Sequence, residues 1–130
     1  MWWKLLKWSR QLRIWLSGNK REDPKYRLFK LEEPVDLEQI YGKLIKLGYQ
    51  YNYAAVTYTG QLFQVRRLTD IEYQIHLRII EDSEGNVWLT GHYELQPEAD
   101  AFAHSKGEGC RTLTEEEISP LRQALTERRN

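Results

Sequence analysis

Between residues 72 and 96 the chain alternates between apolar and polar positions with few exceptions, the period-2 signature of a strand with two unlike faces. Two such runs, 72–80 and 87–96, flank Asp82-Ser83-Glu84-Gly85-Asn86. A three-residue loop with Gly85 in the left-handed conformation predicts a hairpin in which Asp82 pairs with Asn86. That register sets Ile79 opposite Leu89, Leu77 opposite Gly91, Ile75 opposite Tyr93 and Tyr73 opposite Leu95. The other face then pairs Arg78 with Thr90, His76 with His92 and Gln74 with Glu94. A slip of one residue would mix the faces, so their separation argues for this register.

Upstream, a second hairpin is expected around Thr59-Gly60, joining strands 51–58 and 61–67. With a two-residue loop, Val56 faces Phe63 and Ala54 faces Val65, leaving Tyr53, Thr57, Leu62, Gln64 and Arg66 on the opposite side. Residues 26–31 read as a further strand. Leu37, Ile40, Tyr41, Leu44 and Leu47 form the stripe of a helix over 37–47, with Asp36 as N-cap, Gln39 three residues on and Gly48 as the stop. After Pro97 the pattern weakens; a short helix over 98–105 and a loop through Lys106-Gly107-Glu108-Gly109 are expected. Two starts compete for a final helix. Ser119-Pro120 places proline in the first turn, whereas the box from Thr114 to Glu117 would put Pro120 inside the helix at the loss of one hydrogen bond. The later start is favoured on that ground. The fold class that results is α+β: an antiparallel sheet of about five strands in the order β-α-β-β-β-β-α, helices covering its apolar face, its other face left polar and solvated.

Residues 1–21 follow a different pattern. At helical spacing Trp2, Leu5, Leu6, Trp8, Leu12, Trp15 and Leu16 fall on about half of the circumference. Lys4, Lys7 and Arg10 lie mainly on the other half, with Arg13 at the border, while Trp3 and Ile14 interrupt the polar side. Ser17-Gly18-Asn19 closes this helix, and residues 20–24 read as a charged linker. Charge sharpens the division. The chain has 19 Lys and Arg against 19 Asp and Glu, yet residues 1–21 hold six of the cations and none of the acids. A basic amphipathic arm (1–21) therefore precedes one mildly acidic domain (25–130).

At 130 residues, 41% hydrophobic and 29% charged, the chain suits a single domain with one core rather than a disordered or membrane-embedded protein. Its single cysteine, Cys110, excludes an internal disulfide and fits a cytoplasmic setting. No apolar run is long enough to span a bilayer, and cations interrupt the N-terminal apolar residues too often for a secretory signal. An acid-free, Arg-containing arm is compatible with an organellar transit peptide, although it is poor in serine.

Indole and leucine opposite lysine and arginine suit an anionic membrane surface, which gives Trp2, Trp3, Lys4, Leu5, Lys7, Trp8, Arg10, Leu12, Arg13 and Trp15 as contact residues. The same apolar face would equally dock on a partner protein or on this protein's own sheet. On the domain, Arg66, Gln74, His76, Arg78, His92 and Glu94 form a candidate ligand site. Opposed His76 and His92, with Glu94 two residues along and His104 in the irregular segment, could ligate a divalent metal such as zinc with a coordination position left open. Arg66 and Arg78 could instead hold an anion. Stacking of RNA on Tyr51 and Tyr53, with Arg66, Arg67, Arg78 and His92 for phosphates, is opposed by the acidic charge of the domain, so nucleic acid is not an expected partner. A Cys110–His104 nucleophile pair has no supporting motif.

The sequence thus points to a non-enzymatic binding or accessory module without a cofactor, cytoplasmic or peripheral to a membrane, attached through its arm. The alternative is a small metal-assisted hydrolase or anionic-ligand domain using the polar face of the 72–96 hairpin. A homodimer covering that face is compatible with tyrosine-rich strands.

Overall fold

The computed structural model describes residues 20–52, 57–98 and 110–126. The arm helix, Tyr53, Ala54 and Val56, the expected helix over 98–105 beyond Glu98, and His104 lie outside them. A 3-10 turn, Pro24–Tyr26, leads into β1 (Arg27–Lys30) and α1 (Leu37–Lys46). Strands β2 (Gln50–Tyr51), β3 (Gln61–Leu68), β4 (Tyr73–Glu81), β5 (Val87–Leu95) and β6 (Arg111–Thr112) follow, and α2 (Glu115–Thr126) ends the described chain. The sheet is antiparallel with six strands in the order β1-β5-β4-β3-β2, and β6 also pairs with β5. Among the described residues, no helix is long and apolar enough to cross a membrane.

The β4–β5 register is the one the alternation predicts, from Tyr73 opposite Leu95 to Glu81 opposite Val87. Gly85 (φ 85°) supplies the left-handed residue. One Asp82 carboxylate oxygen accepts from the backbone of Glu84 and Asn86, both at 2.9 Å, and the other from Trp88 Nε1, also at 2.9 Å. Asp82 and Asn86 are joined across the loop at 2.8 Å. Phe63, Val65, Ile75, Leu77, Ile79, Val87 and Leu89 are thereby buried on one face, in one cluster with Ile40 and Leu44 of α1 and Leu121 of α2.

Helix α1 begins where expected, with Asp36 accepting from the Gln39 backbone at 3.1 Å. It closes through Gly48 (φ 94°) in a two-bond cap, Gly48 to Ile45 and Tyr49 to Leu44, both at 3.0 Å, which brings Tyr49 into the core.

Three expectations are corrected. The register before Thr59-Gly60 differs from the expected one: Val65 pairs with Tyr51, not with Ala54. The turn itself is present, closed by Gln61 N–H to Tyr58 O at 3.0 Å with Gly60 at φ 79°, and Asn52 N–H bonds Gln64 O at 3.1 Å. Second, a bulge between Gln61 and Phe63 breaks the alternation at the head of β3. Leu62 consequently packs against the core while the Gln61 side chain meets Arg78 on the other face. Third, α2 starts at Glu115 and contains Pro120. The missing proline N–H is offset by a reciprocal cap, in which Glu117 N–H reaches Thr114 Oγ1 at 3.3 Å and Thr114 N–H reaches Glu117 Oε1 at 2.9 Å. Arg111 adds a two-pronged bond to the same Glu117 carboxylate at 2.8 and 3.1 Å. Strand β6, which carries that arginine, had no signal in the alternation because it is two residues long.

Two consequences are measurable. A Cβ on Gly91 would lie 2.5 Å from Leu77 Cδ2 and 3.0 Å from the His76 carbonyl, and Leu77 is fully buried. Gly91→Ala should therefore lower stability by about 1–3 kcal/mol in urea denaturation. The bond to Arg111 holds Glu117 down at about 2, against an ordinary 4.5. Its stabilisation is complete above pH 4.5 and fades as pH falls toward 2, so Glu117→Gln should lower the melting temperature at pH 7 and progressively less below pH 4.

Candidate functional site

The polar face of the sheet is not a solvated surface. Gln61, Gln64, Gln74, His76, Arg78, Thr90 and Glu94 are all buried, His76 to 3% exposure and Gln74 to 1%. This departs from the expectation of a half-wet sheet. The alternation signals which residues share a face; it carries no signal of what covers them. The Arg78 guanidinium lies 3.9 Å from the centre of the Tyr58 ring, and the Tyr26 ring packs on His92 at 5.2 Å. Residues 20–26, of which 20–24 read from sequence as a charged linker and Tyr26 as the start of a strand, connect these two edges: Lys20 O accepts from Thr59 N–H at 2.7 Å at one end, and Tyr26 reaches His92 and, through its hydroxyl, Cys110 Sγ at 3.4 Å at the other.

At the centre stands Glu94. Its carboxylate receives Gln74 Nε2 at 2.9 Å, faces His76 Nδ1 at 3.1 Å and meets His92 Nε2 at 3.0 Å on its second oxygen. Arg66 Nη1 donates to Gln74 Oε1 at 3.0 Å and also pairs with Glu98 at 2.6 Å. Because arginine only donates, Gln74 must turn its oxygen to Arg66 and its amide hydrogens to Glu94. A chain of fixed polarity thus runs from the exposed Glu98 to the buried carboxylate. Arg78 occupies the adjoining part of the layer and donates through Nε to Gln61 Oε1 at 2.9 Å.

His76 has acceptors on both sides, Glu94 at Nδ1 and Gln64 Oε1 at Nε2, 2.8 Å away. Donating to both would require the imidazolium. Burial opposes that charge, Arg78 nearby opposes it further, and together they hold His76 down at about 3 despite the attraction of Glu94. Burial raises the Glu94 carboxyl, but the hydrogen bonds from His76 and His92 outweigh it, leaving Glu94 well below the usual carboxylate range. At neutral pH the centre therefore combines an ionised carboxylate with a neutral His76, whose single ring hydrogen can be donated to Glu94 from Nδ1 or to Gln64 from Nε2 but not to both.

Of the residues singled out from sequence, Arg66, Gln74, His76, His92 and Glu94 form one connected network, and Arg78 shares the layer with them. His76, His92 and Glu94 each offer a metal-ligating atom, all within 4.8 Å of one another. His104 and the arm residues from Trp2 to Trp15 lie outside the described residues. Gln61, Tyr26 and Tyr58 are additions. A bulge placed Gln61 in the layer, and the two tyrosines come from a turn and a loop whose positions no periodicity encodes. No family model, curated protein or solved structure matches the chain, so the chemistry of the site rests on its own atoms.

Since the unfolded chain protonates His76 near 6.5 and the folded chain near 3, its contribution to stability is lost as pH falls through that interval. The urea midpoint should decline between pH 6.5 and 4.5, before most carboxylates titrate. A flat profile there would contradict a neutral, buried His76.

Proposed function

We propose that this protein is a non-enzymatic binding module whose working site is the enclosed polar layer on β3, β4 and β5. In this reading the basic arm attaches the module to an anionic membrane surface. The observation that carries the site is the buried, ionised Glu94 with two imidazoles and an amide turned toward it. A carboxylate kept charged inside a domain attracts cations, and it favours a small ion over an organic anion.

The arm reading is supported by composition: tryptophan and leucine on one helical side, six cations and no acid in residues 1–21. Thr59 N–H donates to Lys20 O at 2.7 Å, so the described chain starts beside the loop that carries Tyr58. The test is co-sedimentation of the full chain with anionic and neutral vesicles at low and high salt. Pelleting should be selective for anionic vesicles, weaken with salt, and be lost when Lys4, Lys7, Arg10 and Arg13 are changed to Glu. Equal pelleting of that variant, or none by the native chain, would remove the membrane attachment and leave a protein partner for the arm.

A further inference from the structure

We infer that His76, His92 and Glu94 bind one divalent transition-metal ion of zinc type, with Gln64 and Gln74 positioning the ligands. The inference rests on the binding-module reading and names the ion the layer would hold.

Geometry is the first ground. In a tetrahedral site with bonds near 2.1 Å, neighbouring ligand atoms stand about 3.4 Å apart. His76 Nδ1 to Glu94 Oε1 is 3.1 Å and His92 Nε2 to Glu94 Oε2 is 3.0 Å, with all three ligating groups inside 4.8 Å. The two histidines meet different oxygens of the carboxylate, so binding one ion requires the side chains to rotate and draw the three ligand atoms closer together. The donors are two imidazoles and a carboxylate, the set that suits zinc, cobalt or nickel and is poor for calcium or magnesium, which favour oxygen.

Placement is the second. His76 stands on β4, between β3 and β5, while His92 and Glu94 stand on β5, between β4 and the β1 and β6 segments. His76 and His92 are paired on both sides and Glu94 with Gln74 of β4, so little order is lost on binding. His76 and His92 are directly opposed in the register, which fixes their separation.

The third ground is the surrounding hydrogen bonding. Metal-bound histidines characteristically donate their other ring N–H to an oxygen acceptor. Gln64 Oε1 sits 2.8 Å from His76 Nε2, the nitrogen turned away from Glu94. Without an ion the His76 hydrogen can sit on Nδ1 and bond Glu94 Oε1; moved to Nε2, where Gln64 accepts it, it frees the Nδ1 lone pair for a cation shared with Glu94. Binding then leaves His76 with one hydrogen, on Nε2, and moves the His92 hydrogen from Nε2 to Nδ1. The Gln74 amide, oriented by Arg66, keeps its bond to the carboxylate. The three ligands leave a fourth position for water or a further donor.

The experiment uses the full chain, purified without an affinity tag and freed of metal with a chelator that is then removed. Zinc chloride and cobalt chloride are titrated by calorimetry and followed by thermal melts. One ion per chain should bind, raise the melting temperature, and give cobalt bands of a four- or five-coordinate nitrogen and oxygen site. His92→Ala, which removes the least buried ligand, should weaken zinc by about 100-fold or more while retaining the circular dichroism spectrum of the native chain. Nitrogen-15 shifts of the native protein should show zinc on His76 Nδ1 and a hydrogen retained on Nε2, a readout that needs no variant. Absence of stoichiometric binding, zinc affinity unchanged in His92→Ala, or an unmoved His76 Nδ1 at zinc saturation would overturn the inference. Magnesium chloride and sodium phosphate in the same melts separate the two readings. A rise with either that His92→Ala abolishes would leave a binding module and reject the transition metal, whereas no rise with any addition would reject both.

Discussion

The loop from Asp82 to Asn86 sets the position of every side chain on the two longest strands. Asp82 gathers two backbone N–H groups and the Trp88 indole on one carboxylate, and Gly85 takes the left-handed conformation the loop requires. Nine consecutive residue pairs inherit that register. Because side chains alternate with period two, a slip of one residue in either strand would exchange its inward and outward sets. Ile75, Leu77 and Ile79 would trade places with Gln74, His76 and Arg78. The opposition of His76 and His92, and hence the cluster around Glu94, depends on a turn at the far end of the hairpin.

What is unusual is that both faces of the sheet are then buried. A buried apolar face stabilises by removing surface from water, and Leu77, Val65 and Leu89 do so completely. A buried polar face contributes nothing comparable unless its groups are satisfied, and each donor or acceptor left unpaired costs roughly 1–3 kcal/mol. The layer meets this condition through amides. Gln61, Gln64 and Gln74 link Arg78, His76 and the Arg66–Glu94 pair respectively. The bulge at Gln61 belongs to the same solution, since it delivers an amide oxygen to Arg78 and returns Leu62 to the core. His76 is where satisfaction is hardest, with one ring hydrogen between two acceptors.

Much of this was legible in the residues themselves. The β4–β5 pairing, the α1 caps at Asp36 and Gly48, and the grouping of His76, His92 and Glu94 follow from alternation, turn chemistry and helical spacing, which are local rules. The departures are places where a distant contact decides. Glu117 is held by Arg111 on a two-residue strand, and that pair with the Thr114 cap outweighs the one hydrogen bond Pro120 removes. Tyr51 rather than Ala54 meets Val65, so the connection between the two strands is longer than a two-residue loop. The sheet has six strands rather than five because β6 is too short to alternate. Enclosure of the polar face was not legible at all, since Tyr26 and Tyr58 carry no periodic mark.

A network this well connected could serve structure alone, and the distinction turns on economy of charge. A layer built only for packing gains nothing from an ionised carboxylate, because an apolar or neutral replacement of similar volume avoids the desolvation of Glu94. Here the charge is kept, two imidazoles are directed at it from adjacent strands, and the remaining contacts of His76 and of Gln74 are set by other side chains. Imidazole is also a poor choice for a purely structural donor, since acid would protonate it inside the fold. It is the appropriate choice where a lone pair must be offered to an ion. On the proposed reading it is the residue types, more than the distances, that favour a site over a scaffold.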